Sequence, residues 1–486
     1  MDKQVKAFIK NYSEFIMNDE ASLFIGAGIS IGSGYVNWKE LLTEIADEIG
    51  LDIDEEDDLI ELAQFHKNEN DSRELLNKKL IKEFTRDVVS NKTHNLLSEM
   101  EIDEYWTSNY DTLLEDTFKN DGFNVEAKRS TADLARKYPR IDKTVYKMHG
   151  DIGSPENAVL VKDDYETYSV KWKDFSLLFQ SALIKKTFLF IGFSFDDPNL
   201  KYLLGRIKML MGEDARKHYC IMKRVNVSDC EHIGKDFEYE TIKQKLKIAD
   251  LKRYSIKVLL IDEFEELNDI LLRINQRVKY NRIFISGAAN TYAPFTQTEV
   301  EKFSYDLSWK LVNSDNQITS GFGLGIGSSV INAGLEYVFQ KKKSIDDVIK
   351  MRPFPQNIDD EKERQELWKR YRYSMLKNVG VAVFMFGNKV KRDEIVFSDG
   401  MQKEFDICIE LGIKVIPLPF TGYISNKLYQ DIILNTQDYY PDLCENPRFI
   451  SKFNELSKVS SLDDYAISVV NDLINFIKRS SIIEKY

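Results

Sequence analysis

Asn109 and His149 are the residues of this sequence best suited to act on a hydroxyl group or a water. An Asn side chain both donates and accepts, so it can orient such a group. A His titrates near neutral pH and can take up or release a proton. Asn109 lies in Thr107-Ser108-Asn109-Tyr110-Asp111, just after Tyr105-Trp106, and His149 lies in Lys147-Met148-His149-Gly150-Asp151 at the end of another apolar run. Two further motifs hold equivalent positions. Gly26-Ala27-Gly28-Ile29-Ser30 follows Ala21–Ile25, and Gly192-Phe193-Ser194 follows Phe188–Ile191, with Asp196-Asp197-Pro198-Asn199 next. Small residues after a strand let backbone N–H groups approach a diphosphate at a helix N-terminus. Ala27, Gly28, Ser30, Gly192 and Ser194 are candidate contacts on that basis.

These motifs need a scaffold that brings them together. Short apolar runs at Ala21–Ile25, Glu104–Thr107, Thr144–Met148, Phe188–Ile191, His218–Met222 and Val258–Ile261 read as buried strands. Helical stretches lie between them, from Val5–Met17 and Trp38–Ile49 to Glu263–Val278, and 52–86 reads as a charged helical layer. This alternation predicts an α/β fold with a parallel sheet, whose ligands bind off the carboxyl ends of the strands. The pattern restarts near residue 280. Ile283–Ile285, Gln317–Ser320, Val381–Phe386 and Lys414–Leu418 are strand candidates, Val300–Asn313 is a helix, and Leu462–Ile482 closes the chain as another. The reading is therefore two Rossmann-like domains, 1–280 and 281–486, with no low-complexity linker between them.

Composition narrows the function. Among 486 residues, 67 Lys and Arg face 79 Asp and Glu, for a net charge of −12. That balance argues against a duplex nucleic-acid binder, although a local basic pocket stays possible. No apolar run reaches the roughly 20 residues of a membrane helix, and the N-terminus does not read as a signal peptide. Cys220, Cys230, Cys408 and Cys444 form no Cys-x-x-Cys pair, so the sequence predicts neither a zinc site nor a disulfide framework. A cytoplasmic location is the default expectation.

The second half carries its own anion-binding pattern. Ser286-Gly287 and the run Gly321-Phe322-Gly323-Leu324-Gly325-Ile326-Gly327-Ser328 each follow a strand and offer backbone amides. A helix starting near Ser329 would aim its N-terminus at an anion. Arg352, Arg372 and Lys389 can supply positive charge, and Arg suits bidentate phosphate contacts. Glu404 can accept from ribose hydroxyls or a base amine.

Taken in order, the four motifs of the first half resemble the sirtuin fold family over roughly residues 20 to 260. The resemblance implies NAD as substrate, Asn109 and His149 as the catalytic pair, and Asp111 as support for the ribose-side hydrogen bonds. Nicotinamide leaves as a neutral molecule from a cationic precursor, so no general acid is required. The site must hold the ribose, exclude solvent and place a nucleophile. Deacetylating sirtuins carry a four-cysteine zinc module that this sequence lacks, which points to water as acceptor and to ADP-ribose plus nicotinamide as products. The second half resembles the SLOG domain. Enzymatic relatives there show Pro-Gly-Gly-x-Gly-Thr-x-x-Glu, whereas this chain reads Ser398-Asp399-Gly400-Met401-Gln402-Lys403-Glu404, which favours binding over hydrolysis. The combination resembles the effectors of the bacterial Thoeris anti-phage system. It implies activation by a cyclic ADP-ribose isomer made by a TIR-domain partner enzyme, bound by Ser286, Gly287, Gly323, Gly325, Gly327, Arg352, Arg372, Lys389 and Glu404. It also implies a homotetramer. The alternatives are a non-catalytic nucleotide-binding regulator and a sirtuin-type protein deacylase.

Overall fold

The computed structural model describes residues 2–480 except 137, 233 and 356. The chain divides into two compact units, Asp2–Asn275 and the residues from Gln276 onward. Each is a parallel α/β sheet, as the alternation of apolar runs and helices requires.

Among the described residues the first unit holds seven strands: β1 (Ala21–Ile25), β2 (Glu104–Thr107), β3 (Val125–Lys128), β4 (Lys143–Lys147), β5 (Thr187–Ile191), β6 (His218–Lys223) and β7 (Ile256–Ile261). Their order is β3-β4-β2-β1-β5-β6-β7, and every pair is parallel. β1 and β5 are buried at all five positions, because a central parallel strand is covered on both faces. The chain leaves β1 toward β2 and later returns to β5 on the other side. The strand order therefore reverses between β1 and β5, which makes their carboxyl ends the expected ligand crevice.

Register makes the convergence explicit. Ile25 pairs with Thr107 on one side and Ile191 on the other, and Thr107 pairs with Lys147. These four strand-end residues form one row, so Gly26, Asn109, His149 and Gly192 all leave the sheet along the same edge. The charged segment after residue 52 forms two helices, Leu59–Glu69 and Glu74–Phe84. They share a small core with the helix Trp38–Glu48, built on Leu41, Ile45, Leu62, Leu76 and Leu80.

The second unit holds β8 (Arg282–Ala288), β9 (Gln317–Ser320), β10 (Ile349–Met351), β11 (Val381–Phe386), β12 (Asn388–Lys391), β13 (Glu394–Phe397) and β14 (Lys414–Pro417). Five form a parallel sheet in the order β10-β9-β8-β11-β14, while β12 and β13 pair as an antiparallel hairpin. β11 reads Val-Ala-Val-Phe-Met-Phe and is buried throughout. The order reverses between β8 and β11. The closing helix runs Asp464–Ser480, and positions 481 and 482 of the expected helix lie outside the described residues.

Candidate active site

Thr107 organises the first site. Its hydroxyl donates to the carbonyl of Ile25 at 2.7 Å and accepts from the backbone N–H of Asn109 at 2.9 Å. That bridge joins the ends of β1 and β2 and sets the turn carrying Asn109. The Asn109 side chain then donates through Nδ2 to Ser30 Oγ at 3.1 Å. Its Oδ1 is buried and has no hydrogen-bond partner among the described residues. A buried acceptor left open is costly unless a ligand completes it.

His149 is buried at the end of β4, with its ring edge-on to Tyr165 and Tyr168 at 5.8 and 6.1 Å between centroids. Tyr168 fixes this wall by donating to the carbonyl of Met148 at 3.0 Å. Nε2 of His149 lies 3.0 Å from Oδ2 of Asp197. Burial would raise the Asp197 carboxyl, but the facing imidazole and the N–H groups of Leu200 and Asn199 outweigh it and hold that carboxyl below its ordinary range.

A buried charged layer sits behind these loops. Lys147 is fully buried, donates to the carbonyl of Asp111 and lies 3.3 Å from Oε1 of Glu115. Arg129 pairs with Asp151 and lies 3.8 Å from Glu115. Asp111 accepts from the N–H of Leu113, the first residue of the helix Leu113–Asn120, at 3.0 Å.

The glycines act through close packing. Gly26 and Gly28 donate to the carbonyls of Ile191 and Gly192, both at 2.9 Å, so these amides join the ends of β1 and β5 and do not face a diphosphate. A Cβ on Gly26 would sit 2.2 Å from the Gly192 carbonyl oxygen. Ala27 is exposed beside them, Ser30 is buried under Asn109, and Ser194 is exposed. Ser194 Oγ accepts from Asp196 N–H at 3.4 Å.

The second unit has a cleft of about 500 Å³ at the carboxyl ends of β8 and β9. Ser286, Gly287, Gly323, Arg372 and Glu404 all line it. Ser286 Oγ donates to Glu404 Oε2 at 2.6 Å, and Arg372 Nε lies 3.7 Å from the other carboxylate oxygen. The Arg372 guanidinium stacks over Phe354, 4.8 Å from its ring centre. Burial raises the Glu404 carboxyl above its ordinary value, and Ser286 and Arg372 offset only part of that. Gly325 and Gly327 are absent from the lining. Gly325 has φ +76°, and a Cβ there would meet the Ala289 carbonyl at 2.4 Å, so it serves the loop's packing. Arg352 is exposed outside the cleft, and Lys389 pairs with Asp399 beside it.

The comparisons with known proteins agree with both halves. The SIR2-like domain model matches residues 103–248, and the Sir2- and TIR-associating SLOG family matches residues 266–477. A protein called NAD(+) hydrolase ThsA from Cytobacillus dafuensis is 44% identical over 449 residues, covering 91% of this chain and 90% of the relative. Its namesake in Bacillus cereus (strain MSX-D12) is 39% identical over 481 residues, covering 98% and 99%. Another, from Acinetobacter baumannii (strain 532279), is 38% identical over 483 residues, covering 98% and 100%. The chain belongs to this family of NAD(+) hydrolases, the Thoeris effectors.

For an NAD(+) hydrolase of this family, the structure gathers Asn109, Ser30, His149, Gly192 and Asp111 at one sheet edge. It adds residues that sequence reasoning did not select: Asp197 facing His149, the Lys147–Glu115 pair beneath, and Phe354 under Arg372. Asp197 had a local signal only as a helix cap before Pro198, and its N-cap bond to Leu200 N–H at 2.8 Å is present. Among the described residues no cluster of His, Cys, Asp and Glu could hold a metal, and no helix is long and apolar enough to cross a membrane.

Proposed function

We propose that this NAD(+) hydrolase releases nicotinamide and ADP-ribose at the crevice between β1 and β5, and does so when a cyclic ADP-ribose isomer occupies the cleft of the second unit. The depletion of NAD would serve anti-phage defence. The observation that carries the catalytic half is the open, buried Oδ1 of Asn109 on the same sheet edge as His149. Asn109 orients the ribose or the attacking water, and His149 takes up the proton that the reaction releases. The buried Lys147–Glu115 pair holds the two loops in place.

The regulatory half draws on the chemistry of the cleft. Arg372 offers a flat cation for phosphate and Glu404 an acceptor for hydroxyl or amine donors, while Gly287 and Gly323 form part of the cleft wall. Arg352 and Lys389 would act from the rim. In this reading residues 1–280 hydrolyse NAD and residues 281–486 sense the signal, which a TIR-domain partner supplies. The protein would work in the cytoplasm as a tetramer. Taking the active fraction from 1% to 99% needs about 5.5 kcal/mol of differential binding, within reach of several linked subunits.

The test is nicotinamide release from NAD by the full chain, with and without cyclic ADP-ribose isomers. Turnover that rises only with an isomer supports both halves. Turnover at the same rate without it leaves the hydrolase and removes the sensor.

A further inference from the structure

We propose that Asp197 is a positioning residue for hydrolysis: its carboxylate fixes the imidazole of His149 and supports the positive charge that the ring acquires on taking up a proton. This rests on the reading of His149 as the base. In that step a water oxygen bonds to C1′ of the ribose, the C1′–N bond breaks with its electron pair leaving on nicotinamide, and the water's proton passes to His149. The ring turns cationic as the substrate's positive charge disappears, so an anion beside it stabilises the product side of the transfer.

Asp197 is placed for this and its neighbour is not. Asp197 is nine-tenths buried at the start of the helix Pro198–Met211, and its Oδ2 lies 3.0 Å from Nε2 of His149. Its Oδ1 is held by Leu200 N–H at 2.8 Å, so the carboxylate cannot swing away without breaking the helix cap. Asp196 is exposed and pairs with Lys247 at 2.9 Å. The other titratable groups facing the ring are Tyr165 and Tyr168 from the helix Lys162–Lys171, both phenols that burial pushes upward and keeps neutral. Asp151, on the loop of His149, is paired with Arg129. Asp197 is thus the one anion among the described residues that meets the imidazole directly.

The experiment compares Asp197→Asn, Asp197→Ser and His149→Ala in the full chain, following nicotinamide release with a cyclic ADP-ribose isomer present. Asn and Ser both cap helices well, so either variant keeps the start of the helix. Asn removes the charge and, with its Oδ1 held by Leu200 N–H, turns an N–H donor toward Nε2 where the carboxylate accepted, whereas Ser removes the charge and withdraws from the ring. Both should lower kcat at least about tenfold with KM little changed. Adding Asp197→Asn to His149→Ala should cost nothing more. A folded Asp197→Asn or Asp197→Ser with wild-type kcat, beside an inactive His149→Ala, overturns the role of Asp197 alone. Near-normal turnover in His149→Ala overturns the underlying reading of the base.

Discussion

Ser30 Oγ accepts a hydrogen bond from Nδ2 of Asn109 at 3.1 Å, and this contact decides which way the Asn109 amide points. With the nitrogen held, Oδ1 is left buried and open on the side where a substrate hydroxyl or water would sit. Removing Asn109 should therefore cost chemistry, while removing Ser30 should cost only orientation. Asn109→Ala is expected to lower NAD cleavage by at least about 10². Ser30→Ala should lower it by about two- to tenfold, the worth of one ordinary hydrogen bond. Steady-state nicotinamide release by folded variants checks this, and equal losses from the two would contradict it.

The glycines at the switch point make a structural prediction with an internal control. A Cβ on Gly26 would stand 2.2 Å from a backbone oxygen, which cannot yield as a side chain can. Gly192 has φ +63°, and a Cβ there would stand 2.8 Å from Ile29 N. Gly26→Ala and Gly192→Ala should each destabilise the first unit by more than about 2 kcal/mol and abolish turnover. Gly205 lies inside the helix Pro198–Met211 with nothing within 4 Å of its Cβ position, so Gly205→Ala should be neutral or stabilising by up to about 1 kcal/mol. Thermal melts of the three variants give the comparison.

Much of this was legible in the sequence, because buried central strands announce themselves as unbroken apolar runs. β1, β2, β9 and β11 fall on the expected residues. The elements that were missed lack that signal. β3 reads Val-Glu-Ala-Lys at a sheet edge, and β10 is three residues long. The hairpin β12–β13 turns through Arg392 and Asp393, both at positive φ, with no Asn-Gly or Asp-Gly to mark it. Site residues divide in the same way. The candidates Asn109 and His149 stand at strand ends, where the sequence marks them, whereas Asp197 meets His149 through a contact 48 positions away along the chain, which no local pattern encodes.

Glu404 should make signal binding pH-dependent. Burial raises its carboxyl above the ordinary value, against the partial opposition of Ser286 and Arg372. Hydroxyl or amine donors from a ligand favour the carboxylate form, so binding lowers that raised value again. Affinity must then fall as pH drops through the raised value of the free protein, beginning above the range of an ordinary carboxylate. Titrating the full chain with a cyclic ADP-ribose isomer from neutral pH down through the ordinary carboxylate range should show a rising Kd, and Glu404→Gln should flatten it. A wild-type Kd that does not change over this range would rule out Glu404 as the acceptor.

Arg372 and Lys389 are both basic candidates for the signal, yet the structure separates them. Arg372 is buried in the cleft wall, stacked on Phe354 and 3.7 Å from Glu404. Lys389 stands on the hairpin β12–β13, paired with Asp399 and absent from the lining. A charged hydrogen bond to a ligand phosphate is worth about 1.5–3 kcal/mol, so Arg372→Ala should weaken binding of a cyclic ADP-ribose isomer by roughly tenfold or more. Arg372→Lys keeps the charge but loses the planar fork and the stacking on Phe354, so it should recover only part of that loss. Lys389→Ala breaks an exposed pair worth about 0–1 kcal/mol and should weaken binding by about fivefold at most. Calorimetry on the full chain measures all three, and nicotinamide release shows whether activation shifts to higher signal concentration in the same order. If Arg372→Ala is activated at the wild-type concentration, the signal binds elsewhere. If Lys389→Ala loses more than Arg372→Ala, the hairpin must close onto the ligand and the rim, not the floor of the cleft, carries the recognition.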